Sequence, residues 1–143
     1  MTLIDIRPAL KVLLLSNSEL STMIGGNRIY PGKLPQGLMP TAAVVYNEIS
    51  NEGDYTLDGP SGLARPRYQV DGWAKLADDA HRLGLLIQET LTGYKGTVSF
   101  GSNSPQSSVV VRGIFMESSR SIWDDPSGLY GSSKDFIIWF AER

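Results

Sequence analysis

The stretch WDDPSGLYG at 123–131 contains a proline and two glycines. It separates two segments rich in β-branched and aromatic residues, 109–122 and 132–141. Turn residues between two such runs predict a long β-hairpin. The parity of its strands constrains the fold most. A strand covered on one face only should alternate apolar with polar positions. Here Ile137 and Trp139 fall on one side, and Phe136, Ile138 and Phe140 on the other. In the partner run, Val109, Val111 and Phe115 oppose Val110, Ile114 and Met116. A strand predicted over 41–49 repeats the pattern, with Ala43 and Val45 against Val44 and Tyr46. A sheet of such strands has two apolar faces to cover.

Two helices are available. Leu3, Ile6, Leu10, Leu13 and Leu14 recur at spacings of three and four, which predicts an amphipathic helix with Pro8 near its start. Asn17 or Ser18 can cap a short following turn that Gly25 and Gly26 would stop. The second helix carries Leu76, Ala80, Leu83, Leu86, Ile87 and Leu91. Asp78 and Asp79 suit the positive end of its dipole, and Gly93 is placed to end it. Residues 28–40 read as an extended connection, 50–66 as a long turn-rich loop, 67–73 as a main strand and 96–100 as a short one. Residues 101–108 read as a small-polar loop. The order predicts one α+β domain over 1–143, a mostly antiparallel sheet of four to five strands with two main helices packed on one face. The second face is then covered by long loops, by the first helix packed opposite the second, or by another subunit.

A chain of 143 residues can bury roughly two thirds of its unfolded surface. The net charge of −2 offers no basic stripe for duplex binding. With no cysteine, disulfides, thiol catalysis and cysteine-based zinc sites are excluded, and a single histidine excludes two-histidine metal motifs. The longest apolar runs are too short to cross a bilayer as a helix. The first residues carry Asp5 and no secretory pattern, so a cytoplasmic origin is expected.

No enzyme constellation emerges. His81 follows Asp78 on the second helix, but Ser61 in GPSGL and Ser127 in DPSGL lack the Gly-x-Ser-x-Gly frame of a nucleophile elbow. Asp54 with Asp58, and Asp124 and Asp125 with Glu117, lack the spacing of a calcium loop. Gly25-Gly26 has no phosphate-loop lysine and follows a helix. Neither a metal nor a cofactor is implied.

More telling is the stretch YTLDGPSGLARPRYQVDGWAK at 55–75, where Arg65, Arg67, Gln69, Asp71 and Trp73 share one strand face. Arginine and tryptophan are enriched at protein interfaces, and charges there fix register.

These features in this order resemble the phage tail completion (tail terminator) family over essentially the whole chain. The resemblance rests on LIDIRPALKVLLLSNSELSTMIGGNRIYPGKLPQG, then MPTAAVVYNEIS, the 55–74 loop and strand, ADDAHRLGLLIQETLTGYKGT, and the closing VRGIFMESSRSIWDDPSGLYGSSKDFIIWF. It implies a structural virion protein, made in the host cytoplasm, without catalytic residues or cofactor. Such a protein forms a ring of six subunits at the head-proximal end of the tail tube, where it ends tube polymerisation and joins the tail to the head connector. A head-completion or stopper component of the neck is the alternative. The implied partners are further copies of the chain, the tail tube protein and the connector or stopper protein, with DNA only passing through the lumen and no membrane. The projecting segments expected to meet these partners are the 51–66 loop, with Asp54, Tyr55, Leu57 and Asp58, and the 123–131 tip, with Trp123, Asp124, Asp125, Leu129 and Tyr130. Arg65, Arg67, Asp71 and Trp73 are expected beside the first of these.

Overall fold

The computed structural model describes residues 3–35, 42–101 and 107–142. In chain order the elements are α1 Arg7–Leu15, α2 Ser18–Met23, β1 Ile29–Pro31, β2 Ala42–Ser50, β3 Tyr55–Thr56, β4 Gly59–Pro60, β5 Leu63–Ala64, β6 Arg67–Ala74, α3 Ala77–Leu91, β7 Gly96–Phe100, β8 Ser107–Asp124 and β9 Leu129–Ala141. Pro8 sits in the first turn of α1, where no intrahelical acceptor awaits its missing N–H. Leu3 precedes this helix and is exposed, so the apolar stripe begins at Ile6. Asn17 caps α2, its side-chain oxygen accepting from the N–H groups of Glu19 and Leu20 at 3.1 and 3.2 Å. Leu76 occupies the N-cap position of α3 and is exposed, so the buried stripe of that helix starts at Ala80.

The main sheet runs β1-β2-β6-β9-β8-β7, with β5 paired to the end of β9. All pairs are antiparallel except β1 with β2, and the mixed sheet curls into a half-barrel. The four to five strands expected from the sequence are therefore too few. The additional members are β1, inside the supposed connection at 28–40, and β5, inside the supposed loop at 50–66; that loop also holds the separate β3–β4 ribbon. Strands of two or three residues carry no readable period. Pro66 interrupts the edge formed by β5 and β6 against β9, lacking an N–H but accepting from Ile138 N at 3.0 Å. Part of the small-polar loop expected at 101–108 belongs to β8, which starts at Ser107; residues 102–106 lie outside the described residues.

The hairpin β8–β9 is as expected but longer, and its parity differs from the simple alternation. Register shifts between Val111 and Gly113 and between Met116 and Ser118 leave Arg112 and Glu117 as extra residues. The first bulge returns Ile114 and Met116 to the face of Val109 and Val111, leaving Phe115 on the opposite face with Val110. Relative to Val109 and Val111, Ile114, Phe115 and Met116 thus all lie on the opposite face from the one that alternation assigned them.

One core cluster unites the helices with a single face of the sheet. Its sheet members Val44, Tyr46, Tyr68, Val70, Val98, Val109, Val111, Ile114, Phe136, Ile138 and Phe140 all share one parity, and Ala9, Leu10, Leu14, Leu83, Ile87 and Leu91 come from the helices. Close backbone approach keeps α3 on β6 and β9. A Cβ on Gly72 would lie 2.8 Å from Leu83 Cγ, and one on Gly84 would lie 2.5 Å from Ser132 Cβ. Lys134 is also buried in this layer, donating to Gln88 Oε1 at 3.2 Å and Ser119 Oγ at 2.7 Å, and burial pushes its ammonium down. Among the described residues, no helix packs on the other face.

Candidate interaction surface

Strand pairing assembles the second face from four strands, β2 contributing Asn47 and the buried Val45 and Ala43 beside Gln69, Asp71 and Trp73 of β6. Arg67, Gln69, Asp71 and Trp73 of β6 stand opposite Ile137, Asp135, Ser133 and Gly131 of β9. Phe115, Ser118, Arg120 and Ile122 of β8 continue the same rows on the far side. The alternate charged positions of 65–73 therefore do share one face, and most of their charges are answered within the chain. Arg67 Nη2 lies 3.7 Å from Glu117 Oε2. Arg120 donates to Gln69 Oε1 at 2.9 Å and to Asp135 Oδ2 at 3.4 Å, and Ser118 Oγ donates to Asp135 Oδ2 at 2.9 Å. Gln69 Nε2 donates to both oxygens of Asp71 at 3.0 and 3.2 Å. The Arg65 guanidinium lies 5.6 Å from the centroid of the Trp139 ring, a cation–π contact.

Some atoms of this face are left over. Asp71 is only 5% exposed and faces no direct ion pair, so burial raises its carboxyl pKa above the usual range. Arg65 Nε and Asp135 Oδ1 are buried on this face without a hydrogen-bond partner among the described residues, and Ser133 Oγ lies beside the Asp71 carboxyl, which it pulls down, without meeting strict hydrogen-bond geometry. Buried polar groups are rarely left unpaired, each costing about 1–3 kcal/mol. Beside them Phe115 is 57% exposed, Ile137, Trp139 and Trp73 are half-buried, and Trp73 lies across Gly131 next to Ile122.

At the hairpin tip, Trp123 and Tyr130 stack with ring centroids 6.4 Å apart and an interplanar angle of 24°. Both are exposed. Asp124 Oδ2 accepts from Ser127 N at 3.1 Å, which closes the turn, while Leu129 is buried and Asp125 exposed. Leu129, buried under the tip, supports it from below. In the β3–β4 ribbon, Tyr55, Leu57 and Asp58 are exposed, and Asp54 Oδ2 accepts from Ser61 Oγ at 2.7 Å. Both serines weighed as nucleophiles, Ser61 and Ser127, are turn residues.

The sequence-derived candidates form two groups. Arg65 and Arg67 lie at the ribbon end of β6, as expected. Asp71 and Trp73 do not: Trp73 pairs with Gly131 and Ala74 with Tyr130, which puts them beside the hairpin tip, about 20 Å along the strand. Sequence reasoning did not single out Asp135, Arg120, Ser118 and Ser133, which complete the face. Their only signal is the β6–β9–β8 register.

A separate crevice of about 350 Å³ opens between the N-terminal segment and the end of the sheet, lined by Asp5, Arg7, Tyr46, Glu48 and Tyr68 among others. Arg7 is held by both Asp5 oxygens at 2.9 Å, which lowers the Asp5 carboxyl. Burial pushes the Tyr68 phenol up to about 12, so it stays protonated at neutral pH. This set pairs no nucleophile with a base. His81 is exposed on α3 with no hydrogen bond to Asp78, and no cluster of three or more potential metal ligands occurs among the described residues.

With this geometry in hand, comparison with known proteins gives a family match. The model of the Tail completion protein gp17 family matches residues 8–139. No curated protein matches the sequence significantly. Among solved structures, a chain from the virion of a native gene transfer agent particle superposes with a TM-score of 0.69 at 12% sequence identity, covering 92% of this chain and 91% of that one. At that identity the likeness is one of fold.

Proposed function

The chain belongs to the Tail completion protein gp17 family, a structural and non-enzymatic component of the phage virion tail, and on that premise we propose that it assembles into a ring, of six subunits as first expected, at the head-proximal end of the tail tube. The ring ends tube polymerisation and offers its free side to the head connector or stopper protein, while DNA passes through the lumen without specific binding. A ring needs head-to-tail contacts between different surfaces of the same subunit. The observation that carries this reading is the helix-free face, where exposed or half-buried aromatic side chains share the sheet surface with the buried Arg65 Nε and Asp135 Oδ1, which lack hydrogen-bond partners among the described residues. A neighbouring protein supplies both the apolar cover and the missing hydrogen bonds. The near-neutral net charge of −2 also suits a lumen that DNA must leave.

The test uses tail tubes and particles made without the protein. Added protein should cap tube ends in negative-stain images, halt further growth and restore infectivity. Overlong or ragged tails in its absence support the reading. Tailless, filled heads that leak DNA would overturn it in favour of a neck stopper.

A further inference from the structure

Two corners of the molecule carry charges of opposite sign that no ion pair among the described residues neutralises. Lys95 and Arg112 flank Gly96 and Val111, the last pair of the β7–β8 ladder, so both cations stand at one corner of the sheet. Both are exposed, and neither joins an ion pair among the described residues. At the hairpin tip Asp125 is exposed and Asp124 half-buried with one oxygen accepting from Ser127 N, neither joins an ion pair among the described residues, and the stacked rings of Trp123 and Tyr130 present an open aromatic surface. Like charges placed side by side cost stability, and an exposed aromatic pair costs hydration. Each corner is anomalous alone, and each answers the other. The twelve positions of β8 from Arg112 to Asp124 separate them by about 40 Å, too far to meet within one chain. Between two copies they form a contact of two different surfaces, the kind that builds a ring.

We propose that the Trp123–Tyr130 tip of one copy seats on the Lys95–Arg112 corner of the next, with the arginine over the aromatic pair and the aspartates against the two cations. This rests on the ring reading above and adds the surfaces that make the contact. The chain already uses the same chemistry internally, with Arg65 over Trp139. From Gly113 onward β8 is also the edge of the sheet, since β7 pairs only with Ser107–Val111 and the edge carbonyl of Ile114 is taken by Gly93 N at 2.8 Å. The backbone edge beside Arg112 is thus closed by the Gly93 turn, and what the corner offers an approaching copy is the exposed side chains of Lys95 and Arg112.

The absence of cysteine allows a clean cross-linking test. A chain carrying both Arg112→Cys and Asp125→Cys, assembled with tail tubes and oxidised, should give a ladder of disulfide-linked oligomers. Either substitution alone should give no ladder. Reversing one corner with Lys95→Glu and Arg112→Glu, or the other with Asp124→Lys and Asp125→Lys, should weaken self-association on the order of tenfold. Reversing both in one chain should restore it. A protein that caps tubes yet gives no ladder overturns the contact and leaves the ring reading standing. Loss of capping by the tip reversal, with copies still associating, also overturns it and assigns the tip to the tube. A wild-type protein that neither caps tubes nor yields a ladder from the double-cysteine chain overturns both.

Discussion

Gly84→Ala tests the packing that holds α3 against the first face of the sheet. Gly84 lies inside α3, and an alanine Cβ there would sit 2.5 Å from Ser132 Cβ and 3.3 Å from Lys134 Cε. Relaxed carbon contacts are near 3.5–4.0 Å. Ser132 is fixed in the middle of the sheet, so the helix must retreat by about 1 Å from β9 or the strand must bend. Overpacking of this kind costs about 1–3 kcal/mol. Alanine is the better helix former by about 1 kcal/mol, which works the other way. With a clash this deep the upper part of the packing range applies, leaving a net loss of about 1–2 kcal/mol. For a chain of this size that lowers Tm by about 3–8 °C. Thermal and urea unfolding followed by circular dichroism would measure it. Ser132→Gly removes the opposing Cβ and should recover much of the loss, so a double-mutant cycle should show coupling above about 0.5 kcal/mol. A Gly84→Ala protein more stable than wild type would refute the reasoning. Only the helix-propensity gain would then be visible, and α3 would stand further from the sheet than its contacts require.

Asp71→Asn removes a buried charge while keeping an acceptor for Gln69. A raised acid pKa contributes stability only below the ordinary value of 3.8 and loses it as pH rises through the folded value. The variant should therefore match wild type near pH 3.5 and exceed it in urea midpoint at pH 7. Lys134→Met keeps the buried stem and removes the ammonium, so it should be at least as stable as wild type at pH 7. A lowered lysine pKa makes wild-type stability rise with pH up to 10.5, so the gap should narrow in alkaline urea titrations. Phe115→Glu should shift unfolding by less than about 0.5 kcal/mol, since the side chain is exposed, yet abolish tube capping in the negative-stain assay. Asn17→Ala should cost about 1 kcal/mol, because it removes the α2 cap and the 2.9 Å bond from Asn17 Nδ2 to Thr90 Oγ1.

Local signals carried much of this fold. The stripe of α3, the Asn17 cap and the β8–β9 hairpin each leave a period or a turn residue in the sequence. Bulges leave neither. Arg112 and Glu117 look like ordinary strand residues, and only pairing with β9 shows that each is extra. Alternation put Ile114 on the face opposite Val109 and Val111; it shares their face and is 1% exposed within the core. The same limit hid β1 and β5, whose two or three residues become strands because longer neighbours provide their ladders.

The surface was half legible for a related reason. Parity within β6 put Arg65, Arg67, Asp71 and Trp73 on one face, because that information is local. Their partners are not local: Gln69 meets Arg120 fifty-one residues away. The pairing changes what the face can do. Unpaired, its arginines and carboxylates would form a charged surface that resists burial. Arg67 with Glu117 and Arg120 with Asp135 are paired before any partner arrives, Asp71 is held by Gln69, and Arg65 lies over the Trp139 ring, which leaves Asp135 Oδ1 and Arg65 Nε as the buried atoms that still need a partner. Burial of such a face then desolvates few free charges while covering Trp139, Ile137 and Phe115. Arg120→Ala separates this view from one of generic stickiness. Removing that guanidinium leaves Asp135 without its cation on an otherwise unchanged apolar surface. If the face works by prior neutralisation, association should fall although exposed hydrophobic area rises. Stronger association would mean that greasiness alone drives the contact.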